Sequence, residues 1–219
     1  METNSKELIV QGFTFNDFME NTYVLGERGG EVCVIDPGCN SDEEWSTLCQ
    51  FLAKEGCKPV AILLTHGHLD HIFGVERART AWGVPVAMHP GDLPLVERAR
   101  AQAQMWGIEM GNVRPPELEL SDGQMLGLAG CSIRVIHTPG HSPGGVCLYL
   151  QDHGLLFAGD TLFNGSIGRT DLPGGDYTTL IDSIQTRLMP LPDDTLVLSG
   201  HGPQTTIGQE RAHNPFLAG

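Results

Sequence analysis

An apolar run, Val60-Ala61-Ile62-Leu63-Leu64, passes without a break into Thr65-His66-Gly67-His68-Leu69-Asp70-His71. A continuous apolar stretch of this length reads as a buried strand of a layered α/β protein. The segment after it serves chemistry rather than packing, because four potential metal donors fall within the six residues His66 to His71. Neutral imidazole and carboxylate suit zinc, iron or manganese, and three histidines with one aspartate can be shared between two ions. The plain alternative is a set of surface histidines with Asp70 capping a helix. It explains the aspartate and leaves three histidines without a role.

The 219 residues are enough for one substantial core. Thirteen Lys and Arg against 27 Asp and Glu give a net charge of −14, which repels polyanions and argues against nucleic acid as a partner. The richest basic stretch, Glu97-Arg98-Ala99-Arg100, is short and mixed in sign. The opening Met1 to Glu7 lacks a basic, apolar secretory signal, and no apolar run reaches the roughly 20 residues needed to cross a bilayer. A cytoplasmic, membrane-free protein is expected. The six cysteines form no C-x-x-C pair, and Cys33, Cys131 and Cys147 lie in apolar runs, as buried free thiols do.

Residues 8 to 36 read as a β-meander with a hairpin at Arg28-Gly29-Gly30. Asp36 then closes a strand, either as a plain turn residue or as a carboxylate that orients a metal-bound imidazole. Ser41 to Glu55 is a helix with a Ser41/Glu44 capping box, and its Trp45 packs in the core. Further helices are expected over Ile72 to Trp82, from Asp92 as cap to about Met105, and over Asp176 to Met189. Met105, Trp106 and Met110 either border a substrate cleft or cover the edge of the core. His89 reads as a turn residue or a partner of the metal cluster, and His153 as a hairpin turn. His137 and His213 read as structural or exposed.

The second half repeats the theme of the first. Apolar runs ending at Ile136, Ala158 and Leu198 lead into loops carrying His141, Asp160 and His201. Strand ends in layered α/β proteins meet at one edge, where loops build the site. With the 66–71 cluster these residues make seven donors, enough for two ions sharing a carboxylate. Composition stays uniform throughout, so one domain over 1–219 is expected.

Thr65 to His71, with His141, Asp160 and His201 in that order, resembles the metallo-β-lactamase superfamily over the whole chain. Gly159-Asp160-Thr161-Leu162-Phe163, Gly168-Arg169-Thr170-Asp171 and the tail containing Asn214-Pro215-Phe216 are similar to short glyoxalase II-like hydrolases. The resemblance implies an αββα fold: four layers, two mixed β-sheets face to face between helices. It implies one metal on His66, His68 and His141, another on Asp70, His71 and His201, and Asp160 between them. Two divalent ions are expected, zinc foremost, with iron or manganese as alternatives. The implied activity is hydrolysis of a small thioester, glutathione-linked in this family, with Asp70 as the catalytic carboxylate. Only 18 residues follow His201, fewer than the helical glutathione-binding domain of larger glyoxalase II enzymes needs. Arg169, the one cation in the loop after Asp160, is expected to meet a substrate carboxylate or to pair with Asp171. A single-iron persulfide dioxygenase using His66, His141 and Asp160 is the alternative enzyme. A lactonase and a non-catalytic scaffold are less favoured.

Overall fold

The computed structural model describes residues 7–217. Met1 to Lys6, on which the expectation of a missing secretory signal rests, lie outside the described residues. The first six strands lie side by side in chain order: β1 (Leu8–Phe15), β2 (Glu20–Glu27), β3 (Glu31–Ile35), β4 (Lys58–Leu63), β5 (Val86–Met88) and β6 (Leu118–Glu119). β1 to β3 form the expected antiparallel meander. β3 to β6 run parallel, and parallel neighbours require crossovers. Helix α1 (Asp42–Lys54) makes the first, α2 (Leu69–Ile72) and α3 (Val75–Trp82) the second, and α4 (Leu93–Met105) the third.

α1 starts as its sequence dictates, with Ser41 and Glu44 closing a reciprocal capping box. The single helix expected from Ile72 to Trp82 is instead two pieces, parted at Phe73-Gly74. Gly74 donates its N–H to the carbonyl of Pro37 at 2.8 Å, and a Cβ there would collide with Cys39. The turn after β3 thus clamps the break between α2 and α3. Asp92 departs from expectation too, because its side chain makes no cap bond to α4.

A second six-stranded sheet comes next, built from β7 (Met125–Leu128), β8 (Cys131–His137), β9 (Val146–Leu150) and β10 (Leu155–Gly159). After a small hairpin of β11 (Leu162–Phe163) and β12 (Ser166–Ile167) come β13 (Leu196–Ser199) and β14 (Thr205–Thr206), in the spatial order β14-β13-β10-β9-β8-β7. His153 closes the β9–β10 turn as expected, followed by Gly154 in the left-handed region at φ 59°. Helix α5 (Tyr177–Ser183), which continues as a π-helical stretch from Ile184 to Leu188, and α6 (Ile207–His213) cover this sheet.

Side-chain alternation sorts the apolar strands into layers. Leu25, Cys33 and Leu63 face Ile133, Val135, Leu148 and Phe157 in a core between the sheets. Their neighbours Val24 and Val34 face α1, and Ile62 faces α2 to α4. Ile136, Leu156 and Val197 pack on α5 and α6. The result is the expected αββα sandwich, with two mixed sheets between helices. All six cysteines are free thiols.

Strand direction places the site. β8 and β9 are antiparallel, β9 and β10 are antiparallel, and β10 and β13 are parallel. β8, β10 and β13 therefore all end at the same edge. There the two sheets are joined by backbone bonds from Val146 N to Thr65 O at 2.8 Å and from Asn21 N to Gly200 O at 2.7 Å.

Phe157 is 1% exposed and meets Tyr23 edge-on across the sheets, with 5.2 Å between ring centroids. Phe157→Ala is expected to lower stability by about 3–5 kcal/mol. Urea unfolding would show this as an earlier midpoint at an unchanged m value.

Candidate metal centre

The edge shared by β4, β8, β10 and β13 gathers all seven donors expected from the sequence. His66, His68 and His141 place one ring nitrogen each within 4.8 Å of one another, and so do the donor atoms of Asp70, His71 and His201. Asp160 stands between the two groups. Its Oδ2 is 3.5 Å from both His141 Nε2 and His201 Nε2, and its Oδ1 is 3.4 Å from His71 Nε2. Asp70 Oδ2 lies 3.1 Å from His201 Nε2. Gly200 permits this crowding, because a Cβ there would strike Asp160 and His71.

Four of the five rings are anchored from behind. His71 Nδ1 bonds Asp36 Oδ2 at 3.0 Å, His141 Nδ1 the carbonyl of Arg169 at 2.7 Å, and His201 Nδ1 the carbonyl of Phe18 at 3.0 Å. His66 Nδ1 is 3.1 Å from Thr65 Oγ1, whose hydroxyl donates to Asp36 Oδ2 at 2.5 Å. With the ring protons assigned to these acceptors, the inward nitrogens carry bare lone pairs. His141 Nε2 then faces His66 Nε2 at 3.2 Å and His68 Nδ1 at 2.8 Å. The lone pairs of His66 and His141 have no proton to share, and with His68 Nδ1 beside them they fit a cation. His71 Nε2 and Asp160 Oδ1 are buried with no hydrogen-bond partner among the described residues, a state that costs free energy unless an ion fills it.

The electrostatics agree with a cation site. Burial, reinforced by the neighbouring histidines His71 and His141 respectively, drives His66 well below the ordinary imidazole range and His68 down to about 3. Both rings are therefore neutral and able to ligate. Burial opposes the charge on Asp160, but His71, His66 and His141 outweigh it and hold the carboxyl well below its usual range. Burial likewise opposes a charged His71, and Asp70 and Asp160 outweigh it, so the carboxylates favour positive charge at this position.

Several supports were invisible in the sequence. Asp92, read as a helix cap, is fully buried and ties two donor loops together. Its Oδ2 accepts from Gly67 N at 2.9 Å and Ser142 Oγ at 2.7 Å, and its Oδ1 accepts from Gly144 N at 2.5 Å. Glu20 is fully buried 4.0 Å from His71, and desolvation pushes its carboxyl well above the usual range. Asn21 and Tyr23 donate to the carbonyl of Ser199 and so fix the strand end that leads to His201. A carboxylate or an amide inside an ordinary strand or helix start carries no signal of such partners. Of the outlying histidines, His89 accepts from Gly91 N and stacks on His137 at 4.1 Å, away from the centre.

Five of the donors, His68, Asp70, His141, Asp160 and His201, floor a cleft of about 350 Å³ that Arg169 also lines. The Arg169 guanidinium is held by Asp171 in a two-pronged pair at 2.8 and 2.7 Å, so its charge is matched within its own loop. Of the three residues left open between cleft and core, Trp106 lines the cleft, Met110 packs on the helical core and Met105 is exposed.

The sequence profile of the metallo-β-lactamase superfamily matches residues 15–201. A Haemophilus influenzae protein named hydroxyacylglutathione hydrolase GloC is 38% identical over 202 residues, covering 91% of this chain and 93% of that one. Among solved structures, the BLEG-1 B3 metallo-β-lactamase superposes with a TM-score of 0.89 at 40% identity, covering 96% of this chain and all of that one. TTHA1623 in a di-iron-bound form superposes with a TM-score of 0.85 at 41% identity, covering 95% and 100%.

Asp92→Asn removes the charged acceptor between the 66–71 and 141–145 loops. It is expected to weaken metal binding about 10–100-fold, read by competition with a chromophoric chelator, while circular dichroism stays native.

Proposed function

The chain belongs to the metallo-β-lactamase superfamily of metal-dependent hydrolases, and from that membership we propose that it is a glyoxalase II-type thioester hydrolase, acting as one domain over residues 1–219. The observation that carries this reading is the seven-donor cluster, complete for two cations, at the floor of a cleft. The name of the Haemophilus influenzae relative supports S-lactoylglutathione or a related acyl thioester as substrate.

His66, His68 and His141 would hold one divalent ion, and Asp70, His71 and His201 the other, with Asp160 reaching both. Zinc is proposed, and iron or manganese are the alternatives. Two cations bound there supply Lewis acidity and lower the pKa of water from about 15.7 to near 7. The chain's own residues do the positioning. Asp70 lines the cleft beside His201; there it would accept a hydrogen bond from the attacking water and turn the water's lone pair towards the thioester carbonyl. Asp36 steadies His71 directly and His66 through Thr65, so neither ring can swing away. Attack at the carbonyl carbon breaks the C–S bond. The departing thiolate belongs to an acid of pKa about 8.5, so the leaving group needs no dedicated proton donor.

The partner is a small molecule rather than a nucleic acid, given the net charge of −14. No helix among the described residues is long and apolar enough to cross a membrane, and a cytoplasmic location is proposed.

Protein loaded with two ions per chain is expected to hydrolyse S-lactoylglutathione, and to lose that activity on chelation and in His141→Ala. One iron per chain, with oxygen consumed in the presence of glutathione persulfide and no thioester cleavage, would replace this reading with a dioxygenase. Cleavage of a β-lactam in place of every thioester would replace it with a lactamase.

A further inference from the structure

The walls of the cleft say more about the substrate than its floor does. Phe18, Leu69 and Trp106 line it, as do Phe163, Ile167 and Leu172. Phe18 and Trp106 lie 5.5 Å apart between ring centroids, and Trp106 is half exposed. Aromatic surface left open at the rim of a concave site gains most from a ligand that covers it. Beyond the metal donors, the polar side chains lining the cleft are Gln102, Ser166 and Arg169. Apart from the histidines, Arg169 is the only cationic side chain among the described residues lining the cleft, and Asp171 already occupies its guanidinium on two sides. A thiol carrier such as glutathione, with two carboxylates, finds no unpaired cation inside. It is better solvated outside, which leaves the cleft to the acyl group.

Resting on the thioester-hydrolase reading, we propose that this site selects thioesters with an apolar acyl group, alkyl or aryl, seated against Phe18 and Trp106 with the polar thiol carrier towards solvent. The lactoyl group, small and hydroxylated, covers little of that wall. Each buried methylene added to the acyl chain strengthens transition-state binding about fourfold until the cleft is filled.

The test keeps the carrier constant. Metal-loaded protein is assayed with S-acetyl-, S-butanoyl-, S-hexanoyl-, S-phenylacetyl- and S-lactoylglutathione. The expected result is kcat/KM rising from acetyl to hexanoyl and phenylacetyl, both at least tenfold above lactoyl. In Phe18→Ala and Trp106→Ala the hexanoyl-to-acetyl ratio is expected to fall about tenfold. A second measurement is independent of turnover. S-hexylglutathione should bind the protein more tightly than S-methylglutathione and quench tryptophan fluorescence, with the quench lost in Trp106→Phe. Lactoyl cleaved as fast as hexanoyl, or the two thioethers bound equally, would overturn the apolar-acyl proposal and leave the hydrolase reading standing. No cleavage of any thioester by fully loaded protein would overturn both.

Discussion

The buried carboxylate of Asp36 is the contact on which the metal centre hangs. It accepts from Thr65 N at 2.7 Å, Thr65 Oγ1 at 2.5 Å and His71 Nδ1 at 3.0 Å. One side chain at the end of β3 thereby fixes the first residue after β4, the tautomer of His71 and, through Thr65, the ring of His66. Its backbone sits at φ 48°, a left-handed conformation that costs a non-glycine residue about 1–3 kcal/mol and persists only where surroundings impose it. Here the surroundings are the parallel β3–β4 pairing and the clamp of Pro37 on Gly74.

A cluster of desolvated donors is self-destabilising without a cation, since lone pairs converge and buried polar atoms go unpaired. The fold withstands this by anchoring His66, His71, His141 and His201 outside the cluster. Asp92 binds the 66–71 loop to the 141–145 loop, the carbonyl of Arg169 holds His141, and the turn at Phe18 holds His201. These supports come from both halves of the chain. The centre is thus a property of the packed sandwich rather than of any one loop. The same arrangement leaves Phe18 and Trp106 at the rim, so the loop that orients His201 also shapes the wall that faces the substrate.

Much of this was legible from residue order. The apolar runs at 60–64, 132–136, 155–158 and 195–198 are strands, and the donor after each lies where a strand end would present it. Binary pattern is local and survives in the sequence, so it could be read directly. Asp92 could not, because an aspartate ahead of Leu-Pro looks like a helix cap and its partners lie up to 52 residues away. Glu20 and Asn21 look like ordinary strand residues for the same reason. The break at Gly74 depended on Pro37 and Cys39, which no local helical pattern contains.

The sequence alone therefore determined which side chains could hold a metal and that they follow buried strands, since donor identity and apolar periodicity are written in nearest neighbours. Only the tertiary structure decided how each imidazole is turned and that Asp36 rather than solvent holds His71. Ring orientation is set by atoms brought together from distant parts of the chain, at distances of about 3 Å, and no linear pattern encodes it.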